Sequence, residues 1–286
     1  MIDRKTVIKE AVTDEKMLTT VETTRSTNLL ARELAEAGAA AGTAVMAETQ
    51  TGGRGRMGRS FWSPGESGMY LSVIVRPGEH CGRFTCAGPC GTDGLIPLLT
   101  VIAGVCVSES IDELFGACTQ LKWVNDIMIG GRKAGGILTE GRFVSQSPMY
   151  AVIGIGVNIY PPAGGFPDDL IEIAGSVLPE RPDPESGNDL SRELLAGRII
   201  RKMTGTVAKF EAEPETLRES LYDAYYDRVK WMFGRPIDVR TPSGDLLYTA
   251  EATGLSKDFG LIVKNSSGSV QSLSSGEVSV RFGPVT

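Results

Sequence analysis

Hydrophobic positions along the chain fall into short apolar runs and longer runs with helical spacing. The short runs Met17–Glu22, Thr43–Ala47 and Met69–Val75 predict strands. A longer and nearly continuous apolar run, Tyr150–Tyr160, is interrupted by glycines and is typical of a central strand along which a ligand or another backbone passes closely.

Helical runs lie between and after these strands. Ser26-Thr27-Asn28 can cap a helix with Leu29, Leu30, Leu34 and Ala37 on one side, ending at Gly38. Pro97 is expected to open a second helix that stops at Gly116. Two more helices are predicted from the apolar stripes in 190–210 and 217–229, and 173–189 is predicted to be a surface loop.

The segment Leu121–Glu140 predicts a hairpin that turns at Gly130-Gly131. With regular pairing, Met128 faces Lys133 and Asp126 faces Gly135, unless the glycine pair at 135–136 forms a bulge. This register places Lys122, Asp126 and Lys133 on one side. The apolar side would then carry Trp123, Ile127, Ile129, Ala134 and Leu138.

From about Gly234 the pattern changes to short strands separated by turn signals. We therefore predict an α+β fold with a mixed or antiparallel sheet and flanking helices, followed by a small C-terminal β-barrel. The predicted domains are residues 1–233 and 234–286.

Composition narrows the classes of function. The net charge of −6 argues against a general nucleic-acid binder, and neither a signal sequence nor a membrane span is evident, so a cytoplasmic location is expected. His80 is the only histidine, which argues against a Ser-His-Asp triad. The stretch Gly78–Gly94 holds His80 and three of the five cysteines; free thiols are favoured there over a zinc site, and no function is assigned to it.

The segment 51–59 combines four glycines and three arginines without a carboxylate, which indicates an anion clamp. A solvated basic loop is the alternative reading. Gly53, Gly55 and Gly58 also fit a dinucleotide fingerprint, but Pro64-Gly65 follows too soon for the helix that this fingerprint needs.

Five motifs occur in order along nearly the whole chain, and together they resemble those of the biotin–protein ligases. They are Ser26-Thr27-Asn28, Glu48-Thr49-Gln50 followed by Gly53-Arg54-Gly55-Arg56-Met57-Gly58-Arg59, Lys122-Trp123-Val124-Asn125-Asp126, Arg132-Lys133-Ala134-Gly135-Gly136, and Gly154-Ile155-Gly156-Val157-Asn158. The chain departs from the family at Met57, where arginine is frequent, and at Val124, where proline is frequent.

The resemblance implies a catalytic domain like that of class II synthetases with an SH3-like C-terminal barrel. It implies ATP and biotin as substrates, Mg²⁺ as the companion of ATP with no identified ligands, and a lysine of a biotin carboxyl carrier domain as acceptor. The implied biotin contacts are Ser26, Thr27, Asn28, Gln50, Arg54, Gly55, Arg56 and Lys133. The implied nucleotide contacts are Arg56, Lys122, Asn125, Asp126 and Asn158, and the residues expected to serve catalysis are Arg56, Lys122, Asp126 and Lys133.

Two alternatives remain open, namely a lipoate–protein ligase of the same fold and a biotin- or carrier-binding module without catalysis. Some members of the family also repress transcription through an N-terminal domain. Because only about 25 residues precede Ser26, DNA binding is not expected here. A monomer and a homodimer are both compatible with the sequence.

Overall fold

The computed structural model describes residues 1–76, 91–144, 147–181, 189–274 and 279–282. Most of the Gly78–Gly94 stretch, including His80 and its three cysteines, lies outside these residues, as do 182–188 of the predicted 173–189 loop. The elements are helices α1 (Arg4–Ala11), α2 (Thr27–Glu36), α3 (Gly91–Phe115), α4 (Ser191–Ala212) and α5 (Pro214–Val229), and strands β1 (Leu18–Thr24), β2 (Ala44–Gln50), β3 (Gly68–Val75), β4 (Gln120–Lys122), β5 (Asp126–Ile129), β6 (Arg132–Val144), β7 (Ser147–Asn158), β8 (Pro236–Arg240), β9 (Leu246–Leu255), β10 (Leu261–Asn265), β11 (Val270–Leu273) and β12 (Ser279–Phe282).

Seven strands form the main sheet in the order β1-β2-β3-β7-β6-β5-β4. Among the strand pairs that the structure describes in this sheet, β1–β2 is parallel and the others are antiparallel, so the sheet is mixed as predicted. β7 occupies the centre, as the glycine-interrupted apolar run indicated. One face packs against α3 and α4 in the principal core, while α2 covers part of the other face with Ala31 and Ala35 against Val45, Ile74 and Val152.

Two helix predictions need correction. α3 begins at Gly91 rather than at Pro97, which lies inside the helix. Proline removes only its own N–H donor, so a helix can continue through it with a local distortion. In α2, Leu30 and Leu34 pack against the buried cluster as predicted, but Ala37 is exposed just beyond the helix, and Thr27 and Asn28 face inward with Ala31 and Ala35. Polar residues occupy this face because they contact other polar side chains of the sheet, as described below.

The Leu121–Glu140 segment contains three strands rather than a single hairpin. The Gly130-Gly131 turn is present with φ of 55° and 77°, but the chain also reverses between β4 and β5, where Lys122 pairs with Asp126. Met128 faces Lys133 as predicted. The register then shifts so that Asp126 faces Gly136 instead of Gly135.

This bulge changes which side chains face the core. Ala134 is the extra residue, and beyond it the parity of β6 is inverted. Ile137 is therefore buried in the core, whereas Leu138, predicted to lie on the core side, lines a cavity on the opposite side.

The C-terminal strands pair as an antiparallel sheet in the order β11-β10-β9-β8-β12. Among the residues that the structure describes, β11 and β12 are the edges of this sheet, so its closure into a barrel stays a prediction. The apolar core is continuous between the two sheets, since Ile237, Val239 and Leu261 belong to the same cluster as Tyr225 and Met232. The division into domains at residue 234 also stays a prediction.

Two hydrogen bonds join the turn between β4 and β5 to the C-terminal part of the chain. The indole of Trp123 donates to the Phe259 carbonyl at 2.8 Å, and the Tyr225 hydroxyl donates to the Val124 carbonyl at 3.1 Å. Both bonds are buried. Within the described residues, no helix is long and apolar enough to cross a membrane.

We expect Tyr225→Phe to lower the free energy of unfolding by about 1 kcal/mol, because the buried Val124 carbonyl loses its side-chain donor. Urea denaturation measures this change. Tyr226→Phe is the matched control, since Tyr226 lies on the same helix and is 37% exposed. Equal stability of the two variants would show that the Tyr225 hydroxyl does not support the turn.

Candidate active site

A cavity of about 610 Å³ opens on the face of the main sheet that carries Leu138. Its lining includes the start of α2, the glycine-arginine loop, the β4–β5 turn and the middle of β7. Among the described residues that line it, five are basic and two are acidic. They are Arg54, Arg56, Arg59, Lys122 and Lys133 against Asp126 and Asp169. This excess of positive charge favours an anionic ligand.

Glycines of the central strand form the floor of the cavity. A Cβ atom at Gly156 would lie 2.5 Å from the Phe61 ring, and one at Gly154 would lie 2.1 Å from Asn28 Oδ1. Both distances are far below van der Waals contact. The glycines of the run 150–160 are therefore required for the close approach of α2 and of Phe61 to the sheet.

Ser26 and Thr27 lie where α2 meets the end of β2. Ser26 occupies the N-cap position, but its side chain makes no capping bond. Gln50 replaces it, since its Oε1 accepts from the Thr27 backbone N–H at 2.8 Å, while its Nε2 donates to Ser63 Oγ at 2.9 Å. Ser26 also lines the cavity, and its side chain does not serve as the helix cap.

Asn28 is buried within a polar network. Its Oδ1 lies 2.6 Å from Ser72 Oγ, and its Nδ2 donates to the Leu138 carbonyl at 3.2 Å and to Glu140 Oε2 at 3.0 Å. These contacts fix the amide orientation and hold the first turn of α2 against β3 and β6.

The glycine-arginine loop folds back on itself. The Gly55 N–H donates to the Arg59 carbonyl at 2.7 Å, and Met57 and Gly58 both have positive φ, 58° and 72°. A Cβ atom at Gly53 would lie 2.2 Å from the Phe61 carbonyl. The glycines thus serve a tight turn, and this turn carries the arginines to the cavity wall.

Arg56 is the arginine of this loop that meets the β4–β5 turn. Its Nη1 donates to Asn125 Oδ1 at 3.1 Å, while Asn125 Nδ2 donates to the Ile137 carbonyl at 3.0 Å. Burial lowers the pKa of Arg56 below its ordinary value, and the negative charge of Asp126 partly offsets that effect. The guanidinium nevertheless stays charged at neutral pH.

Asp126 and Lys133 form an ion pair with Nζ and Oδ1 2.6 Å apart. Burial alone would raise the pKa of the Asp126 carboxyl. The positive charges of Lys133, Lys122 and Arg56 outweigh burial and hold the pKa below the ordinary 3.8. Asp126 is thus a carboxylate that is ionised at neutral pH and lies close to three cations.

The structure brings together all but one of the predicted site residues. Ser26, Thr27, Asn28, Gln50, Arg54, Gly55, Arg56, Lys122, Asn125, Asp126 and Lys133 all line the cavity. Asn158 does not line it; its side-chain amide donates to the Gly175 carbonyl at 3.0 Å. The nucleotide contact predicted for Asn158 therefore stays a prediction.

Other lining residues were not anticipated. Phe61 covers Gly156, and Leu170 and Ile173 contribute an apolar wall from the segment that follows β7. That segment is attached to the start of β6, where Lys133 N–H donates to the Ile173 carbonyl at 2.8 Å. Phe61 and its neighbour Trp62 lie in an otherwise polar loop, and no sequence pattern indicated that Phe61 would lie against β7.

Metal ligands are not evident in the described part of the chain, where no group of three or more histidine, cysteine, aspartate or glutamate side chains could hold an ion. The His80 and cysteine stretch for which a zinc site was the alternative lies outside it.

This architecture is the fold of the biotin protein ligases. The structure of the biotin protein ligase from Aquifex aeolicus in complex with biotin and ATP superposes with a TM-score of 0.70 at 23% identity, covering 93% of this chain and 99% of that one. Residues 20–158 match the Biotin/lipoate A/B protein ligase family. This part of the chain is a domain of that family, and it carries nearly all of the cavity lining.

Curated relatives agree with this assignment. The "Bifunctional ligase/repressor BirA" of Bacillus subtilis is 40% identical over 152 residues, which cover 53% of this chain and 43% of that protein. The chain therefore matches less than half of that relative's length. The "Biotin--[acetyl-CoA-carboxylase] ligase" of Mycobacterium tuberculosis is 28% identical over 260 residues, covering 85% of this chain and 80% of that one.

We expect Gly154→Ala to lower the free energy of unfolding by about 1–3 kcal/mol, because the new methyl group must displace the hydrogen-bonded amide of Asn28. Thermal or urea unfolding measures the loss. Gly164→Ala serves as control, since a Cβ atom there meets nothing within 4 Å. A Gly154 variant as stable as this control would contradict the close packing described above.

We expect Lys133→Met to raise the pKa of Asp126, because Lys133 is the strongest of the influences that lower it. Carboxyl ¹³C NMR titration measures the shift, with Lys202→Met, which removes a lysine paired with Glu109 and Glu113, as control. An ionised carboxylate with a depressed pKa stabilises the fold above its unfolded pKa, and this stabilisation is lost as the pH falls through the folded value. An unchanged Asp126 titration in Lys133→Met would contradict the ion pair.

Proposed function

We propose that the protein is an ATP-dependent ligase that activates biotin as biotinyl-5′-AMP and transfers it to a lysine of a biotin carboxyl carrier protein. The observation that carries this proposal is the convergence of Arg56, Lys122 and Lys133 on one carboxylate inside a cavity floored by glycines. The family assignment and the biotin- and ATP-bound structural relative support the choice of substrates.

In the first step a carboxylate oxygen of biotin attacks the α-phosphorus of ATP. The new bond is a mixed anhydride, and pyrophosphate leaves with the electron pair of the broken P–O bond. Because both reactants are negative, catalysis needs cations that draw them together and stabilise the charge of the transition state. Arg56, Lys122 and Lys133 line the cavity and supply these charges. No general base is needed, since a carboxylic acid is ionised at neutral pH.

In the second step the acceptor lysine attacks the anhydride carbonyl, and AMP leaves. The acceptor is an ammonium ion at neutral pH and must lose a proton, which passes to solvent water, to become a nucleophile. Asp126 is suited to hold this ammonium at the anhydride. Because positive neighbours depress the pKa of Asp126, we assign it mainly the orientation of the amine rather than strong-base catalysis.

The biotin subsite is assigned to the end of the cavity built by α2 and β2, where Ser26, Thr27, Asn28 and Gln50 present polar atoms beside the glycine floor. Arg54, Gly55 and Arg56 close it from the loop. ATP implies Mg²⁺, which we assign to the phosphates, with no protein ligands identified. The implied partner is a biotin carboxyl carrier domain, and the reaction fits a cytoplasmic protein that needs no DNA.

A lipoate ligase of the same fold is the competing enzyme, and the family name includes both acids. ATP–pyrophosphate exchange separates them, because only the activated acid drives the exchange. Exchange dependent on biotin supports the proposal, whereas exchange with lipoate alone identifies the alternative. Exchange with neither acid would point to a binding module without catalysis.

We expect Arg56→Met to reduce biotin-dependent exchange by about 100-fold or more, because a buried donor to the developing charge is lost. Initial exchange rates at saturating biotin and ATP measure the effect. Arg201→Met is the control, because Arg201 is 46% exposed and pairs with Glu10, and neither residue lines the cavity. The Arg201 variant should retain the full exchange rate. An Arg56 variant with the rate of this control would remove Arg56 from the chemistry.

A further inference from the structure

Glu140 was not among the residues that the sequence indicated, yet it connects two walls of the cavity. Its carboxylate accepts from both terminal nitrogens of Arg54, with Nη2 to Oε1 at 2.9 Å and Nη1 to Oε2 at 3.1 Å. The same Oε2 accepts from Asn28 Nδ2 at 3.0 Å. One side chain of β6 therefore binds the glycine-arginine loop and the first turn of α2 simultaneously.

The two arginines at the start of the loop consequently have different partners. Arg56 donates a hydrogen bond to Asn125 and is attracted by the negative charge of Asp126. Arg54 instead forms a bidentate ion pair with Glu140. A guanidinium paired in this way contributes little net positive charge to a ligand. Its contact instead ties the loop to the sheet, 86 residues further along the chain.

We propose that Glu140 is a positioning residue that latches the glycine-arginine loop through Arg54 and so sets how often the loop opens over the cavity. Arg54 then acts as the loop's half of the latch, and Arg56 is the member that meets the reacting groups. This proposal depends only on the contacts of Glu140 with Arg54 and Asn28, and it does not depend on the proposed ligase reaction.

The solvent exposure of the Arg54–Glu140 pair sets how strongly its loss should change the rate of loop opening. The Arg54 and Glu140 side chains are 42% and 35% exposed, so solvent screens the pair and its loss should speed loop opening by about three- to fivefold. This is small enough for the latch to open during turnover. It is also large enough to measure.

Limited proteolysis of the full chain tests the latch without any ligand. Trypsin cleavage after Arg56 and Arg59, followed by mass spectrometry, should be about three- to fivefold faster in Glu140→Gln than in the wild type. Glutamine keeps the size of the side chain and a hydrogen-bond acceptor for Asn28. Cleavage elsewhere in the same digest provides the reference for overall stability.

Arg54→Gln should accelerate the same two cleavages equally, and the double variant should be no faster than either single one, because the two residues act through one contact. Glu36→Gln is the matched control. Glu36 is 38% exposed and pairs with Arg32 and Arg142, but it does not contact the loop, and its loss should leave loop cleavage unchanged.

An unchanged loop rate in Glu140→Gln would overturn the latch, as would additive effects in the double variant or an equal rise at every cleavage site. A second readout is the dissociation of biotinyl-adenylate, which should be faster in Glu140→Gln with the maximal exchange rate retained. This readout depends on the proposed function, so a protein that makes no adenylate would refute that function while the proteolysis result still decides the latch.

Discussion

The ion pair between Asp126 and Lys133 is the contact on which the organisation of the cavity depends. Three cations, Arg56, Lys122 and Lys133, lie near the partly buried Asp126 carboxylate. Without this negative charge, the mutual repulsion of the three cations would destabilise the fold. The pair itself requires both side chains on one face of neighbouring strands. The Gly130-Gly131 turn and the pairing of Met128 with Lys133 provide that geometry. The bulge at Ala134 then inverts which residues of β6 face the core.

Other parts of the structure hold this arrangement in place. The turn that separates Lys122 from Asp126 is bound by Phe259 and Tyr225, so the C-terminal sheet and α5 contribute rigidity rather than ligand contacts. On the opposite side, Asn28 and Glu140 fix the first turn of α2 and the glycine-arginine loop. A rigid cluster of charged side chains beside a glycine floor, and a loop held by a partly exposed ion pair, suit the proposed reaction, which must admit two anions and retain a reactive intermediate.

Much of this could be read from local pattern. Apolar runs and glycine placement located β1, β2, β3 and β7, the Gly-Gly turn and the central position of β7, because each depends on neighbouring residues, whereas the reversal between β4 and β5 was not predicted. The motifs likewise identified nearly every polar residue of the cavity. The bulge at Ala134 could not be located, since a shift of one residue leaves the composition of a strand unchanged but inverts the faces beyond it.

Long-range contacts were equally hidden in the sequence. Glu140 meets Arg54 across 86 positions, and Phe61 reaches Gly156 from a loop without apolar periodicity. Asn158 shows a different limit of sequence reading, because its place in a motif suggested a nucleotide contact, which stays a prediction, and the sequence did not indicate that its amide donates to the Gly175 carbonyl. A polar residue in an apolar strand has two physical explanations, and only its partners distinguish them.

We propose that the three cations around Asp126 bring a carboxylate and a nucleotide phosphate together. Native mass spectrometry after incubation with biotin, ATP and Mg²⁺ tests it most directly. We expect a one-to-one, non-covalent complex whose added mass is that of biotinyl-5′-AMP and whose formation releases pyrophosphate. Separate binding of intact biotin and ATP without conversion, or no binding of biotin at all, would contradict it.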